Sequence, residues 1–182
     1  MNFCSDCGNK VSLQTPEHDD RLRYVCSSCG AIHYQNPKVI VGALLSYKDK
    51  VLLCKRAIEP RLGKWTLPAG FMENAETTLE GARRETAEEA GVKFADGQLY
   101  RVFDIPKINQ VYIFYRAELN DDNHEAGIES LEVDFFSADQ IPWQDLAFPV
   151  MTDILKEYLQ DRQSGNFRVR AGEPDYADFK LI

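Results

Sequence analysis

Between Gly70 and Val92 the chain gathers Glu76, Arg84, Glu85, Glu88 and Glu89 into one short stretch with a glycine at each end. Side chains three and four positions apart on a helix are neighbours, so Glu85, Glu88 and Glu89 leave one face within a single turn. Like charges that close repel, and helix propensity gives no reason to collect them. A hard divalent cation such as Mg2+ turns the repulsion into ligation by oxygen. The plain alternative is a solvated acidic face in a chain of net charge -8.

A second constraint lies near the start. Cys4, Cys7, Cys26 and Cys29 form C-x2-C-x18-C-x2-C, the spacing of a zinc site, and Gly8 and Gly30 follow each pair where a tight turn is needed. Two disulfides are the alternative, disfavoured in a reducing compartment. Four thiolates close the shell of a tetrahedral Zn2+, so that ion is expected to be structural. His18 and His33 are substitute ligands that four cysteines make unnecessary. Cys54, inside the apolar run Val51-Leu52-Leu53-Cys54, reads as a small buried hydrophobe.

The 182 residues suffice for one ordinary domain and a small module. The acidic balance argues against general binding to nucleic acid or an anionic membrane, and no apolar run has membrane-spanning length. Cys4 sits almost at the start and leaves no room for a signal peptide, so a cytoplasmic protein is expected.

The expected organisation is a zinc ribbon over residues 1–36, a catalytic domain over 37–160 and a polar tail over 161–182 with Phe167, Tyr176, Phe179 and Leu181 as isolated anchors. Strands are expected at 22–25, 38–46, 51–56, 99–105, 110–119 and 131–136, with 51–56 returning as the hairpin partner of 38–46. Helices are expected at 76–90, stopped by Gly91, and at 148–160, where Val150, Met151, Ile154, Leu155, Tyr158 and Leu159 recur at helical spacing. Mixed strands with two helices on opposite faces make an α+β protein of α/β/α sandwich architecture.

The residues around the glutamates resemble the box of the Nudix family, G-x5-E-x7-R-E-U-x-E-E-x-G-U with U apolar, matched by Gly70, Glu76, Arg84, Glu85, Glu88, Glu89, Gly91 and Val92. Thr86 departs from it, standing where an aliphatic residue is usual, though its methyl can still pack inward. The resemblance covers about residues 37 to 160 and implies hydrolysis of a nucleoside diphosphate linked to another group. Mg2+ or Mn2+ is then the catalytic cation, with Glu85, Glu88, Glu89 and the Gly70 carbonyl as ligands, and Glu76 as a ligand or as the group capping the helix N-terminus. The resemblance gives Arg84 the task of holding the glutamates in place, with a phosphate clamp as the alternative. Candidates for the general base are a box glutamate, Glu73 or a carboxylate on a later loop. Within Glu129-Ser130-Leu131-Glu132-Val133-Asp134-Phe135-Phe136, Glu132 is carried as an extra ligand or base.

Zinc-ribbon relatives include NADH pyrophosphatases, which carry S-Q-P-W-P-F after the box. Here that region reads Tyr100-Arg-Val-Phe-Asp-Ile-Pro-Lys-Ile-Asn109, so NADH is the alternative and not the preferred substrate. The runs Tyr34-Gln-Asn-Pro-Lys38, Leu53-Cys-Lys-Arg56, Gly63-Lys-Trp-Thr-Leu-Pro-Ala-Gly70, Asp104-Ile-Pro106 and Ser130-Leu-Glu132 look like the plant-type FAD and ADP-ribose pyrophosphatase group. That resemblance implies FAD cut to FMN and AMP, or ADP-ribose cut to AMP and ribose 5-phosphate. Phe103, Tyr112, Phe114 and Tyr115 are candidates to stack on adenine, and Arg56 and Arg61 to contact phosphate. Homodimers are common in the family, and a homodimer is expected here. A zinc-ribbon binding protein with a ligand-sensing domain is the reading of another class. The intact set of box glutamates and the ribbon's lack of excess basic charge speak against it.

Overall fold

The computed structural model describes residues 1–175; Tyr176, Phe179 and Leu181 lie outside the described residues. Contacts divide the chain into a unit Met1–Pro37 and a second unit beginning at Lys38.

The first unit is a three-stranded antiparallel sheet of β1 (Val11–Gln14), β2 (Arg23–Cys26) and β3 (Ile32–His33), with β2 in the middle. One tight turn precedes β1 and another joins β2 to β3. Gly8 N–H donates to the Cys4 carbonyl at 3.0 Å and Gly30 N–H to the Cys26 carbonyl at 2.9 Å, both glycines lying at φ 74. A side chain at that φ is strained, which accounts for glycine at both positions. Within this unit Cys4 and Cys26 are the buried residues, while Phe3, Leu13, Leu22 and Tyr34 are exposed. Without an apolar core, a unit of this kind would depend on a bound metal to fold.

The second unit is built on one mixed sheet ordered β10-β5-β4-β9-β8-β11. The central strand β4 (Lys38–Tyr47) runs parallel to β9 (Gln110–Glu118) along almost its whole length. The outer strands are β5 (Lys50–Arg56), β8 (Gln98–Ile105), β10 (Ser130–Ser137) and the short β11 (Arg170–Gly172). The hairpin expected between β4 and β5 forms only at Ser46↔Val51 and Tyr47↔Lys50. Farther back, the same edge of β4 is taken by β7 (Ala69–Phe71) at Ile40, Val41 and Gly42, while β5 pairs with β6 (Trp65–Thr66) and β10. Hydrophobic alternation specifies which face a side chain takes, not which of two strands occupies an edge.

The alternation of β4 separates two cores. Leu44 packs with Phe103, Phe114, Met151, Ile154 and Leu155 on the side of helix α2 (Pro149–Ser164). Ala43 and Leu45 pack with Leu52, Cys54, Ala90, Val92 and Phe135 on the other side, where helix α1 (Thr78–Ala90) lies. This is the layered arrangement that the periodicity predicts. No helix among the described residues is long and apolar enough to cross a membrane.

Helix α1 begins later than expected. Thr77 is its N-cap: its hydroxyl accepts from Glu80 N–H, and the Glu80 carboxylate accepts from Thr77 N–H at 2.7 Å. This reciprocal capping box leaves Glu76 in the loop ahead of the helix, so Glu76 is not its capping group. Thr86 is fully buried, as its methyl requires, and its hydroxyl donates to the Ala82 carbonyl at 2.7 Å.

Candidate active site and metal centre

Where β7 meets α1, the backbone touches the acid groups. A Cβ built on Gly70 would lie 2.3 Å from a Glu85 carboxylate oxygen, so only glycine lets the Glu85 head rest on the strand. One residue earlier, Ala69 N–H donates to Glu89 Oε2 at 3.2 Å. Glu89 is 7% exposed, and burial pushes its carboxyl up to about 8. Burial also raises Glu85, against the pull of Arg84. Glu88 stands at the rim.

Arg84 frames the cluster. Its Nη1 donates to Glu85 at 2.6 Å and to Glu88 at 3.1 Å; Nε and Nη2 donate to Glu76 at 3.0 and 2.8 Å. Nη2 also reaches the Phe71 carbonyl at 3.0 Å, which ties the helix to β7. Hydrogen bonds from Arg84, then from the Glu73 backbone, hold the Glu76 carboxyl below its ordinary range. The arginine therefore spends its donors on this chain's own carboxylates and main chain, a positioning role.

Glu85, Glu88 and Glu89 each spend one oxygen in these bonds and keep a second for a ligand. Three carboxylates with spare oxygens, two of them pushed upward by burial, are a donor set that a hard divalent cation fits.

Among the later-loop carboxylates, Glu129 is the one whose charge raises both Glu85 and Glu89. The loop carrying it is docked on the end of α1: Glu125 N–H donates to the Ala90 carbonyl at 2.9 Å and Gly127 N–H to the Glu89 carbonyl at 3.1 Å. A Cβ at Gly127 would fall 1.7 Å from the Glu88 carbonyl oxygen, so this approach requires glycine. Glu132, the residue carried from the sequence, sits on β10 opposite Lys55 and pairs with its ammonium at 3.2 Å. Glu129 lies three residues earlier in the same acidic run. The available signal was Gly127 two positions before it, marking a close backbone approach. Glu73 is exposed, and its N–H donates to Glu76 at 2.7 Å.

Arg56 lies close enough for its charge to lower Glu89 and the half-buried Tyr112 phenol, whose burial raises it. Its guanidinium covers the Phe148 ring at 5.3 Å, and Nε donates to the Pro60 carbonyl at 2.9 Å. Arg61 is in the same loop at φ 70. Phe103 and Phe114 are fully buried in the α2-side core, which removes them as adenine platforms. Tyr115 faces the α1 side, its hydroxyl 2.6 Å from that of Thr78. That leaves Tyr112, packed on Phe114 at 6.1 Å and within reach of the Arg56 charge, as the remaining one of the four candidates.

In the first unit the sulfurs of Cys4, Cys7, Cys26 and Cys29 all lie within 4.8 Å of one another. The Cys4–Cys29 and Cys7–Cys26 separations are 3.7 and 3.5 Å, too long for disulfides and right for four corners around one Zn2+. Asn9 donates to the Cys7 sulfur at 3.5 Å and is the main reason its thiol is lowered to about 6. His33 Nε2 lies 3.2 Å from the Cys4 sulfur, beside the set and not in it. His18 is exposed beside Glu17.

Family models match both units of the chain. The NUDIX domain family model matches residues 36–158, and the Nudix N-terminal zinc-ribbon model matches residues 2–35. The crystal structure of a NUDIX hydrolase from Nitrosomonas europaea is 53% identical, with a TM-score of 0.91, covering 95% of this chain and 98% of that one. An ADP-ribose pyrophosphatase of Methanocaldococcus jannaschii is 30% identical over 131 residues, 70% of this chain and 76% of that protein. A NAD-capped RNA hydrolase, NudC, of Photobacterium profundum is 30% identical over 93 residues, which are 51% of this chain but 33% of that protein.

Proposed function

This chain belongs to the Nudix hydrolase family, and from that premise we propose that it is a divalent-metal-dependent pyrophosphatase cutting the P–O–P bridge of ADP-ribose and FAD. The observation that carries the reading is the acid cluster itself: Glu85 and Glu89 buried against the backbone of Gly70 and Ala69, with Glu88 and Glu129 beside them. A chain that only sensed a ligand would have no use for such a costly concentration of carboxylate.

The roles follow from placement. Glu85, Glu88 and Glu89, with the Gly70 carbonyl, would hold Mg2+ or Mn2+. Bound there, the cation supplies charge neutralisation to the diphosphate and acidity to a water molecule. Arg84 keeps the carboxylates spaced and fastened to β7. Glu129, on a turn fixed to the end of α1, is assigned as the further ligand or general base in place of Glu132. Arg56 supplies positive charge toward a substrate phosphate, Tyr112 offers a ring for adenine, and Arg61 is carried as a second phosphate contact. Zn2+ on the four cysteines would hold the ribbon together without taking part in the chemistry.

ADP-ribose is supported by the Methanocaldococcus jannaschii relative, which this chain matches over most of its length. FAD is supported by the residue runs from Tyr34 to Glu132 that resemble the plant-type group. NADH is the second reading, favoured by the NudC similarity and opposed by the sequence from Tyr100 to Asn109. The test is product analysis with FAD, ADP-ribose, NADH and a NAD-capped RNA, in Mg2+ or Mn2+. AMP from ADP-ribose or FAD, abolished by a chelator, is the expected result. Cleavage confined to NADH or capped RNA selects the second reading, and no cleavage at all moves the chain to the sensor class.

A further inference from the structure

The sulfurs of the ribbon do not stand in the same surroundings. Cys7 and Cys29 are exposed, whereas Cys4 is 3% exposed, so water does little to solvate the charge it carries as a thiolate. A buried charge is held by hydrogen-bond donors aimed at it. Two groups face the Cys4 sulfur. Asp6 N–H donates to it at 3.4 Å from the same knuckle, and His33 Nε2 lies 3.2 Å away, on β3 beyond the second knuckle.

His33 is half-buried and closes β3, where it pairs with Tyr24 of β2. Its Nδ1 lies 3.5 Å from Ser5 Oγ, and the Ser5 hydroxyl donates to Asp6 at 3.1 Å. A thiolate that ligates a metal has no proton to give, so the nitrogen facing it must carry one. Nε2 is therefore the donor, and a nitrogen that carries a proton cannot itself ligate. Cys7 has a comparable partner, since Asn9 donates to its sulfur at 3.5 Å and across to Ser28 Oγ at 3.2 Å. Asn9 sits two residues from its sulfur, whereas His33 reaches Cys4 from 29 residues away. The histidine thus ties the first knuckle to the strand that leaves the second.

We propose that His33 is a positioning residue of the zinc centre: its Nε2–H donates to the Cys4 thiolate and governs how fast the ribbon releases its metal. The sulfurs fit such an ion, since all four lie within 4.8 Å of one another. Four thiolates outweigh the charge of one Zn2+, and an N–H set on a sulfur draws part of the excess away. A sulfur held in this way keeps its orientation and is harder to protonate or displace. The inference rests on zinc in the ribbon and is independent of the substrate.

The experiment uses the full chain loaded with zinc, as wild type, His33→Gln and His33→Phe. Glutamine can place an amide N–H where Nε2 lies, while phenylalanine keeps a ring and has no donor. Transfer of zinc to an excess of a chelating dye is timed at fixed pH. The same proteins loaded with Co2+ report the number of bound thiolates by their charge-transfer absorption. His33→Phe is expected to release zinc about 10–100-fold faster than wild type and His33→Gln within about threefold of it, with four thiolates bound in all three. Equal release from all three proteins overturns the proposal. So does equal acceleration in both variants, which would assign His33 to packing. A wild-type spectrum of three thiolates that changes in His33→Phe makes His33 a ligand and overturns it too. Should His33→Phe take up no zinc, the other variant decides: release from His33→Gln near the wild-type rate supports the donor, and faster release overturns it. Wild type that binds no zinc overturns the proposal together with the zinc site. None of these readouts passes through turnover, so the pyrophosphatase reading stands or falls separately.

Discussion

In the first unit four sulfurs converge within 4.8 Å of one another and two of the cysteines are buried, whereas the carboxylates of α1 are spread along one turn and fastened by Arg84. The sulfurs converge with no apolar core around them, so holding a metal and folding would be the same event there. The carboxylates sit on a helix and strand already packed by Leu45, Ala90 and Val92, so their fold is secure before any cation arrives. A closed set of ligands serves structure; an open set with spare oxygens and a raised, buried Glu89 is free to serve chemistry.

The sharpest way to break this contrast is to remove a sulfur. Cys26→Ser, or withdrawal of zinc, is expected to cost Met1–Pro37 its order, since structural zinc contributes about 10–16 kcal/mol in small metal-dependent units. Amide exchange should lose protection at Arg23–Cys26 and keep it at Lys38–Tyr47; retained protection in the ribbon would show a core that the burial pattern does not.

On the other side, Glu89→Gln should lower turnover by more than the ~10–100-fold typical of an outer-shell change, with the fold intact. It should also change the pH dependence of stability. In metal-free protein burial pushes the Glu89 carboxyl up to about 8, against an ordinary value of 4.5. The folded state therefore holds that proton more tightly than the unfolded chain. Its contribution is fully present below 4.5 and is lost as pH rises through 8. Thermal melts in chelator should show wild type falling in stability across that window and Glu89→Gln falling less.

A smaller effect tests the frame. Arg84→Lys keeps the charge but loses the forked donors that reach Glu76, Glu85, Glu88 and the Phe71 carbonyl together. Cation affinity, followed by Mn2+ titration, should weaken by about 10–100-fold. The smallest effect separates two neighbours on the same segment. Glu129→Gln should slow turnover, while Glu132→Gln, which breaks an exposed pair with Lys55, should leave turnover alone and shift stability by less than about 1 kcal/mol. The reverse order would return the role to Glu132.

Much of this was legible along the chain because it depends on neighbours in sequence. The pairing of cysteines with glycines, the glutamates at helical spacing and the apolar period of 148–160 each describe one element, and each element formed. The start of α1 was also legible, in Thr77 and Glu80 three residues apart, but Glu76 drew the boundary two residues too early. Glu129 and Glu132 were harder to separate. Both lie in one acidic, apolar-alternating run, and only the docking of Gly127 on the Glu88 and Glu89 carbonyls distinguishes them.

By itself the sequence determined the spacing of the cysteines and of the box glutamates, the family and the two-sided packing of the central strand, since all three are carried by spacing and period. Tertiary structure alone decided which strand lies against β4, which aromatic rings are core and which carboxylate beyond the box faces it. Close approaches such as Gly70 to the Glu85 carboxylate and Gly127 to the Glu88 carbonyl join segments separated along the chain, and steric fit of that kind leaves no periodic trace.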